Sequence, residues 1–451
     1  MKHEMWELQQ MQALPLSLKV RLTQQRIRDW VNEFGRDGVY VSFSGGKDST
    51  VLLHIAREMY PNIKAVFVDT GLEFPEIRQF VKSWDNVDWV KPKMNFKQVI
   101  EKYGYPMISK ETSECVWGAR KYLKYVLTQL ESGEDALTNE RTNERSGIIR
   151  NLGRSQEQAN TLPVRMEQTY GTRQVRQAVE YSLCHPRGGA EGTSVISPES
   201  EFLAKLLTQD YSLTIDNVRV QRMMNILPNR KGKATMESIP DKPDRSMFSQ
   251  VRWQFFLDAA FEIGQQCCRV MKKEPANRYG KETGRKPITA MMASESRLRT
   301  QKWLKQGCNA FDGKKPMSMP MAFWFEQDVL QYVYQNRIPI APVYGDVVID
   351  YEAMGQLPGQ MRLDDLSPDF GIFDLERPMY KTTGYERTGC MFCGFGCHLE
   401  KPGEGRFERM KETHPKQYEY IMKPKSEGGL GYKEVIDWIN EHNGKGTIIR
   451  Y

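Results

Sequence analysis

The amino-acid sequence predicts an α/β fold with a doubly wound parallel sheet. Short runs rich in β-branched and aromatic residues, at 39–43, 65–70 and 87–90, alternate with segments whose apolar residues recur at helical spacing. Strands that alternate with helices pair in parallel, because each helix returns the chain to the same end of the sheet. Ligands of such a sheet gather at the carboxyl ends of its strands.

Composition is that of an ordinary soluble protein large enough for two or three domains. The 451 residues are 27% charged and 39% hydrophobic. No run approaches the roughly 18 consecutive apolar residues of a transmembrane helix, and the opening MKHEMWELQQ lacks an apolar signal core. We therefore expect a cytoplasmic protein with no membrane partner. The net charge of +7 is compatible with a nucleic-acid partner and equally with a small anionic substrate.

A glycine loop, SFSGGKDST at residues 42–50, connects the first strand to a helical pattern. Two glycines permit a tight turn, and the following helix start supplies unsatisfied N–H groups and a positive dipole end. A lysine and several hydroxyl groups complete a loop that suits phosphate, although the spacing is neither that of the Walker loop nor that of dinucleotide folds. A plain surface turn is the alternative. The predicted nucleotide-binding residues here are Ser42, Ser44, Gly45, Gly46, Lys47, Asp48, Ser49 and Thr50.

Two later segments add candidate site residues. Asp69 and Thr70 follow the second strand and would lie at the sheet edge, unless they only cap a turn. Glu295, Arg297 and Arg299 follow an apolar strand, where the arginines would clamp phosphate or sulfate oxygens. A surface ion pair is the alternative for these three.

The cysteines suggest a metal centre. Six of the eight lie after residue 266, and in a cytosolic protein they favour metal binding or catalysis over disulfides. Cys390, Cys393 and Cys397 can converge on one metal because intervening glycines permit tight turns. A fourth ligand must come from elsewhere. Zinc suits such spacing too, with His398 alongside, and Cys308 could be a ligand, a sulfur carrier or neither.

The pattern divides the chain into five parts. They are an N-terminal helical segment at 1–37, a nucleotide-binding half at 38–130, a polar insertion at 131–250, a second half at 251–345, and a helical, cysteine-rich region at 346–451. The insertion is rich in Asn, Gln, Ser, Thr, Gly and Arg. We expect it to be partly ordered, with short helices at 175–183, 199–207 and 218–227, and it either contacts a partner or is a surface excursion.

The glycine loop resembles the SGGxDS loop of the PP-loop ATP pyrophosphatase superfamily, whose members split ATP into AMP and pyrophosphate. VDTGLEFPE at 68–76 resembles a segment of phosphoadenosine phosphosulfate (PAPS) reductases and ATP sulfurylase small subunits. Further motifs follow in an order similar to that of these reductases: the Cys267-Cys268 pair with Lys272, Lys273 and Pro275, ESRLR at 295–299, WFEQDV at 324–329, IPIAPVY at 338–344, and the late cysteines. The resemblance covers roughly 38–115 and 250–400, and it implies the HUP-like adenine nucleotide alpha hydrolase fold.

The resemblance also implies cofactors. PP-loop enzymes use ATP with Mg²⁺. Assimilatory adenylylsulfate reductases and DNA phosphorothioation sulfurtransferases pair an early cysteine or cysteine pair with a late CxxC to hold a 4Fe-4S cluster. By that likeness Cys267 and Cys268 join the three late cysteines as candidate ligands, and iron–sulfur is preferred over zinc.

The first functional hypothesis is therefore an ATP-consuming sulfur-transfer enzyme. Lys47 and loop N–H groups would stabilise the departing pyrophosphate while an acceptor oxygen is adenylated, with Asp48 and Arg297 as further catalytic residues. Acceptors in similar enzymes are tRNA or DNA, and a cysteine desulfurase is a possible sulfur donor. A sulfonucleotide reductase is the second hypothesis. Those reductases carry a late redox cysteine, and here none follows Cys397, so we rank it lower. A non-catalytic, zinc-containing module of a larger complex is the third.

Overall fold

The chain divides into two compact units, each built from two stretches of sequence. We describe a computed structural model, which covers residues 3–132, 218–223, 250–312, 315–355, 378–444 and 446–451. The first unit combines Met1–Phe96 with Cys268–Met391, and the second combines Lys97–Cys267 with Phe392–Tyr451. The expected helices at 175–183 and 199–207, and most of the insertion, lie outside the described residues.

Ten strands occur in the described residues. In chain order they are β1 Val39–Ser42, β2 Ala65–Val68, β3 Val87–Val90, β4 Met107–Ile108, β5 Lys286–Ile288, β6 Asn309–Ala310, β7 Met317–Ser318, β8 Val347–Ile349, β9 Tyr380–Thr382 and β10 Gly394–Phe395.

Fourteen α-helices accompany them in the same part of the chain. They are α1 Met5–Ala13, α2 Leu16–Phe34, α3 Lys47–Met59, α4 Pro75–Lys82, α5 Phe96–Tyr103, α6 Lys110–Ser132, α7 Val218–Met223, α8 Glu274–Thr283, α9 Arg297–Gln306, α10 Glu326–Asn336, α11 Tyr351–Gly355, α12 Arg406–Thr413, α13 Pro415–Met422 and α14 Tyr432–His442.

The first unit contains a six-stranded sheet in the order β3-β2-β1-β5-β7-β6. All its pairings are parallel except the edge pair β6–β7. This arrangement confirms the predicted α/β fold with a parallel sheet. The strand order reverses at β1, because β2 lies on one side of it and β5, some 240 positions later, on the other. Such a switch point opens a crevice beyond the carboxyl end of the strand, which is where the glycine loop begins.

Helix α2 packs on this sheet domain through one face. Its buried residues recur three or four positions apart, as an amphipathic helix requires, and they are Lys19, Thr23, Ile27, Trp30 and Val31. Apolar residues at helical spacing predict a helix at 16–34, and the structure confirms it. Thr23 accepts a hydrogen bond from the indole of Trp324 at 2.9 Å and donates to the carbonyl of Pro320 at 3.2 Å, so this face also fixes the segment before α10.

The described residues of the second unit are mainly helical, and they include one short parallel pair of strands. β10 pairs with β4, and a Cβ at Gly394 would lie 2.3 Å from the sulfur of Met107, so only glycine allows this approach. Three helices, α12 to α14, follow the late cysteines, as the sequence predicts. Within the described residues, no helix combines the length and apolar character needed to cross a membrane.

Candidate functional site

The glycine loop turns sharply between β1 and α3. Gly45 has φ of +71°, and a Cβ there would come within 2.8 Å of methyl carbons of Ile77 and Val81. Gly46 is the N-cap of α3, which begins at Lys47. The loop therefore fits only with glycine at position 45, and it presents the first, unsatisfied N–H groups of α3 at the sheet edge.

Hydroxyl groups brace the loop from within. The Ser44 N–H donates to Ser49 Oγ at 3.1 Å, and the hydroxyls of Ser49 and Thr50 donate to the carbonyl of Gly46 at 2.9 and 3.0 Å. Thr50 is fully buried, whereas Ser44 is exposed. Among these three predicted nucleotide-binding residues, Ser44 lines the pocket that the loop borders, while Ser49 and Thr50 hold the shape of the loop.

A pocket of about 310 Å³ lies at this loop, within the first unit. It is of a size that suits a small-molecule ligand. Six predicted site residues line it: Ser42, Ser44, Gly46, Lys47, Asp48 and Glu295. Polar residues to which the sequence assigned no nucleotide contact complete it: Glu73, Lys272, Glu326, Tyr344, Glu386, Arg387 and Thr388.

Lys47 and Arg387 are joined by one carboxylate. Lys47 Nζ lies 3.1 Å from Glu326 Oε1, and Arg387 Nη2 lies 2.9 Å from Glu326 Oε2. The buried Lys47 ammonium also donates to the carbonyl of Glu386 and lies 5.3 Å from the ring centroid of Tyr344. Burial alone would raise the pKa of Glu326, but Arg387 and Lys47 outweigh it and lower that pKa. Glu326 is therefore ionised at neutral pH.

Asp48 lies in the field of the same charges. Burial raises its pKa, the Glu326 carboxylate adds to the rise, and Lys47, Arg387 and Arg299 oppose it. A cation bound beside Asp48 would favour its charged form.

Asp69 and Thr70 do not line the pocket, and their side chains form hydrogen bonds and an ion pair with neighbouring residues. Asp69 Oδ2 pairs with Arg78 at 2.9 Å, and its Oδ1 accepts from the N–H of Gly71 at 3.3 Å. The hydroxyl of Thr70 donates to Glu73 Oε1 at 2.7 Å. These two predicted residues fix the turn that carries Glu73 into the pocket.

The Glu295 segment contributes one lining residue. Glu295 accepts a hydrogen bond from the backbone of Met292 at 3.0 Å and forms an ion pair with Arg299 one helical turn away. Arg299 in turn favours the charged form of Asp48. Arg297 is exposed at the first residue of α9 and does not line the pocket.

In the first unit, Lys272 connects the pocket to cysteines. This lysine follows Cys268 on a short π-helical segment, Arg269–Lys273, and lines the pocket. Its ammonium hydrogen-bonds the sulfur of Cys390. Partial desolvation lowers the pKa of Lys272, but Cys390, Glu73 and Cys268 together raise it above its usual value. Lys272 thus lines the pocket and also interacts with two of the predicted metal ligands, Cys268 and Cys390.

In the second unit, three cysteines act electrostatically on one buried tyrosine. Tyr432 is fully buried, and Cys393, Cys267 and Cys397 each add to the effect of burial in raising its pKa. The thiol of Cys397 donates to the carbonyl of Gly394 at 2.7 Å, and burial raises its pKa to about 12. These three predicted ligands lie in one neighbourhood of the second unit.

The donor atoms suit a soft metal centre. Thiolates are ligands for zinc and for iron–sulfur clusters, and an imidazole suits zinc. His398 Nδ1 is buried with no hydrogen-bond partner, and burial lowers the pKa of His398 to about 4, so its neutral form is available. Among the described residues, however, no group of three or more His, Cys, Asp or Glu side chains is arranged to hold a metal ion. The ligand set stays a prediction.

Cys308 lies elsewhere in the first unit. It lines a separate pocket of about 550 Å³ and accepts a hydrogen bond from the indole of Trp303 at 3.4 Å. Burial raises its pKa. Cys308 does not line the pocket at the glycine loop, so no contact with that pocket supports its predicted role as a sulfur carrier.

A parallel sheet with a glycine loop at its switch point, opening on a pocket lined by both acidic and basic side chains, is typical of α/β domains that bind nucleotides at the sheet edge. Comparison with known families identifies it further. The chain belongs to the phosphoadenosine phosphosulfate reductase domain family, whose model matches residues 38–121 and 214–394, more than half of the chain. The family and PP-loop superfamily predicted from the sequence are thereby confirmed.

One curated relative shows a local similarity. An uncharacterized protein of Methanocaldococcus jannaschii, MJ0973, is 40% identical over 73 residues, which span 15% of this chain and 18% of that protein. The chain therefore matches less than a fifth of the relative's length.

Sequence reasoning assigned no nucleotide contact to seven polar residues of the pocket, three of which lie around Lys47. Glu326, Tyr344 and Arg387 each lie within or beside a motif that the sequence singled out, but without an assigned role. Their charge or hydroxyl group next to a motif was the available signal. Glu326 is 279 positions from Lys47, so only the fold brings them together.

Proposed function

We propose that the protein binds ATP with Mg²⁺, releases pyrophosphate by adenylating an acceptor, and transfers sulfur to that acceptor, with tRNA or DNA as the acceptor class. The family match supports a PP-loop enzyme in general. The pocket supports phosphate as its ligand, because the start of α3, Lys47 and Arg387 all lie at it.

The first step uses groups of the loop. The acceptor oxygen attacks the α-phosphorus of ATP, the bond from that phosphorus to the bridging oxygen breaks, and pyrophosphate leaves. Negative charge develops on the leaving group, and Lys47, Arg387 and the loop N–H groups are the donors that would stabilise it. Asp48 is the carboxylate beside them that would bind Mg²⁺.

One observation carries the sulfur-transfer part of the proposal. Lys272 lines the nucleotide pocket and hydrogen-bonds the sulfur of Cys390, both within the first unit. A cysteine thus lies one side chain away from the nucleotide. In the second step the outer sulfur of a cysteine persulfide, supplied by a donor such as a cysteine desulfurase, attacks the adenylated atom of the acceptor and displaces AMP. The acceptor is then joined to the cysteine through an S–S bond. A second thiol breaks that bond, which releases the thiolated acceptor and leaves the two thiols as a disulfide, and an added thiol reductant restores them.

The five cysteines also support a proposed metal centre. They are the predicted ligands Cys267, Cys268, Cys390, Cys393 and Cys397. Thiolates from this set would hold a 4Fe-4S cluster, with zinc as the alternative. A bound cluster would supply a soft site for sulfur. Lys272 would offset the negative charge of the thiolates beside it.

The experiment is an anaerobic assay of the purified protein. ATP, Mg²⁺, a sulfide or persulfide donor and either bulk tRNA or DNA are supplied, and pyrophosphate and thiolated nucleic acid are measured. Sulfur incorporation that depends on ATP supports the proposal. Pyrophosphate release without sulfur incorporation into either nucleic acid would contradict the sulfur-transfer step.

A sulfonucleotide reductase is the second candidate, favoured by the reductase domain match. Lys272 and Arg387 could hold a sulfate group as they could a phosphate. Release of sulfite from adenylylsulfate or its 3′-phosphorylated form, with a thiol reductant, would support this candidate over ATP cleavage.

A further inference from the structure

Glu326 is an acidic side chain that lines the pocket at the glycine loop. Its two carboxylate oxygens lie 3.1 Å from Lys47 Nζ and 2.9 Å from Arg387 Nη2. Both cations line the pocket at which the loop offers its N–H groups. A carboxylate that binds two cations through separate oxygens has the bonding pattern of a phosphate bound by the same pair.

We propose that Glu326 is an internal competitor for the pyrophosphate end of the nucleotide: its carboxylate holds Lys47 and Arg387, and the terminal phosphates of ATP take these cations over when they bind. This inference rests on the proposed function, since it assumes that the ligand carries a pyrophosphate group. It assigns the terminal phosphates to the Lys47 and Arg387 side of the pocket. It also assigns Glu326 a role in product release, because the carboxylate rebinds the cations as pyrophosphate leaves.

The position of Glu326 allows such an exchange. It is the first residue of α10, and about a third of its side chain is exposed, so the carboxylate can turn toward solvent without burying a charge. Lys47, in contrast, is only 5% exposed and keeps a second bond to the carbonyl of Glu386. The lysine therefore stays in place while its carboxylate partner leaves.

A neighbouring acid provides a matched control. Glu386 also lines the pocket, but it contacts Lys47 through its backbone carbonyl. Changing Glu386 to Gln removes one negative charge from the same pocket and keeps the carboxylate that joins the two cations. Any general effect of charge on anion binding should appear equally in Glu386→Gln and Glu326→Gln.

The experiment measures pyrophosphate and adenosine affinity by calorimetry, with a chelator present to exclude Mg²⁺. We expect Glu326→Gln to bind pyrophosphate about tenfold more tightly than the unaltered protein, and Glu386→Gln to change it by no more than about twofold. Adenosine affinity should stay the same in both variants, because it carries no phosphate. Thermal melts confirm folding. Glu326→Asp, whose shorter side chain retracts the carboxylate, should give a smaller gain and serves if the Gln variant is unstable.

An unchanged or weaker pyrophosphate affinity in Glu326→Gln would overturn the inference, as would an equal gain in Glu386→Gln. The results distinguish a failure of this inference from a failure of the proposed function. Tighter pyrophosphate binding by Glu326→Gln, without AMP formation from ATP by the unaltered protein, would remove the proposed function and keep the exchange. AMP formation with no tightening in the variant would remove only the exchange.

Discussion

Lys47 is the positive charge that the glycine loop itself contributes, and its ammonium is nearly enclosed. An enclosed cation acts strongly on a developing charge because little water screens it. We predict that Lys47→Ala lowers the rate of pyrophosphate release from ATP by about 100-fold or more. Lys64→Ala is the control. Lys64 pairs with Asp88 outside the pocket, and its loss should leave the rate within about twofold. Equal losses in both variants would remove Lys47 from the mechanism.

Gly45 fixes the loop through its backbone and through the lack of a side chain. Gly45→Ala adds a methyl group 2.8 Å from Ile77 and Val81 in a left-handed backbone conformation, and we predict loss of nucleotide binding. Gly284 is left-handed too, with φ of +74°, but a Cβ there meets nothing within 4 Å. Gly284→Ala should therefore cost only about 1–2 kcal/mol in free energy of unfolding and keep binding. Calorimetric titration with ATP measures both variants, and equal ATP affinities of Gly45→Ala and Gly284→Ala would contradict the prediction.

At the scale of single residues, the sequence predicted which side chains of the loop line the pocket, but not which residues from distant parts of the chain bond to them. Lys47, Asp48 and Gly46 line the pocket as the motif indicates. The bonds of Asp69 to Arg78 and of Lys47 to Glu326 depend on where helices α4 and α10 come to lie. No spacing along the chain encodes that placement.

The element scale is where prediction from the sequence was most complete. Helix α2 and strand β3 have the expected bounds, since each has a continuous pattern with clear ends. The sequence predicts a helix from Glu114, and α6 begins four residues earlier at Lys110, because the hydroxyl of Ser109 accepts a hydrogen bond from the N–H of Thr112 in the first turn. The strand order of the sheet was beyond prediction, because β1 pairs on one side with β5 at residues 286–288, which are far from it in the sequence.

A buried ion pair connects α2 to α10. Lys19 Nζ lies 2.6 Å from Asp328 Oδ2, and the lysine side chain is 2% exposed. We predict that Lys19→Met lowers the free energy of unfolding by about 3 kcal/mol, because it leaves Asp328 without its cation. Lys82→Met, at an exposed position of α4, should change it by less than about 0.5 kcal/mol. Urea denaturation followed by tryptophan fluorescence measures both, and equal midpoints would show that the pair does not stabilise the fold.

At the scale of the whole molecule, the candidate metal ligands are cysteines from distant parts of the sequence. We predict that anaerobically purified protein contains iron and sulfide, and that Cys390→Ser or Cys393→Ser removes most of both. Cys308→Ser is the matched control, because Cys308 lies in a different pocket and should leave the metal content unchanged. Metal analysis and the visible spectrum provide the readout. Stoichiometric zinc in a colourless protein would show that the site holds zinc and no iron–sulfur cluster. Unchanged metal content in all three variants would show that Cys390 and Cys393 are not metal ligands.

The central claim is that the pocket at the glycine loop cleaves ATP between its α- and β-phosphates. The most direct measurement incubates the purified protein with ATP labelled at the α-phosphate, Mg²⁺ and nucleic acid, and then separates the labelled products. The account predicts label in AMP and in adenylated nucleic acid that together equal the pyrophosphate released, and about 100-fold less of these products with the Lys47→Ala variant. Labelled ADP with free phosphate, or the same AMP yield from the variant, would contradict it.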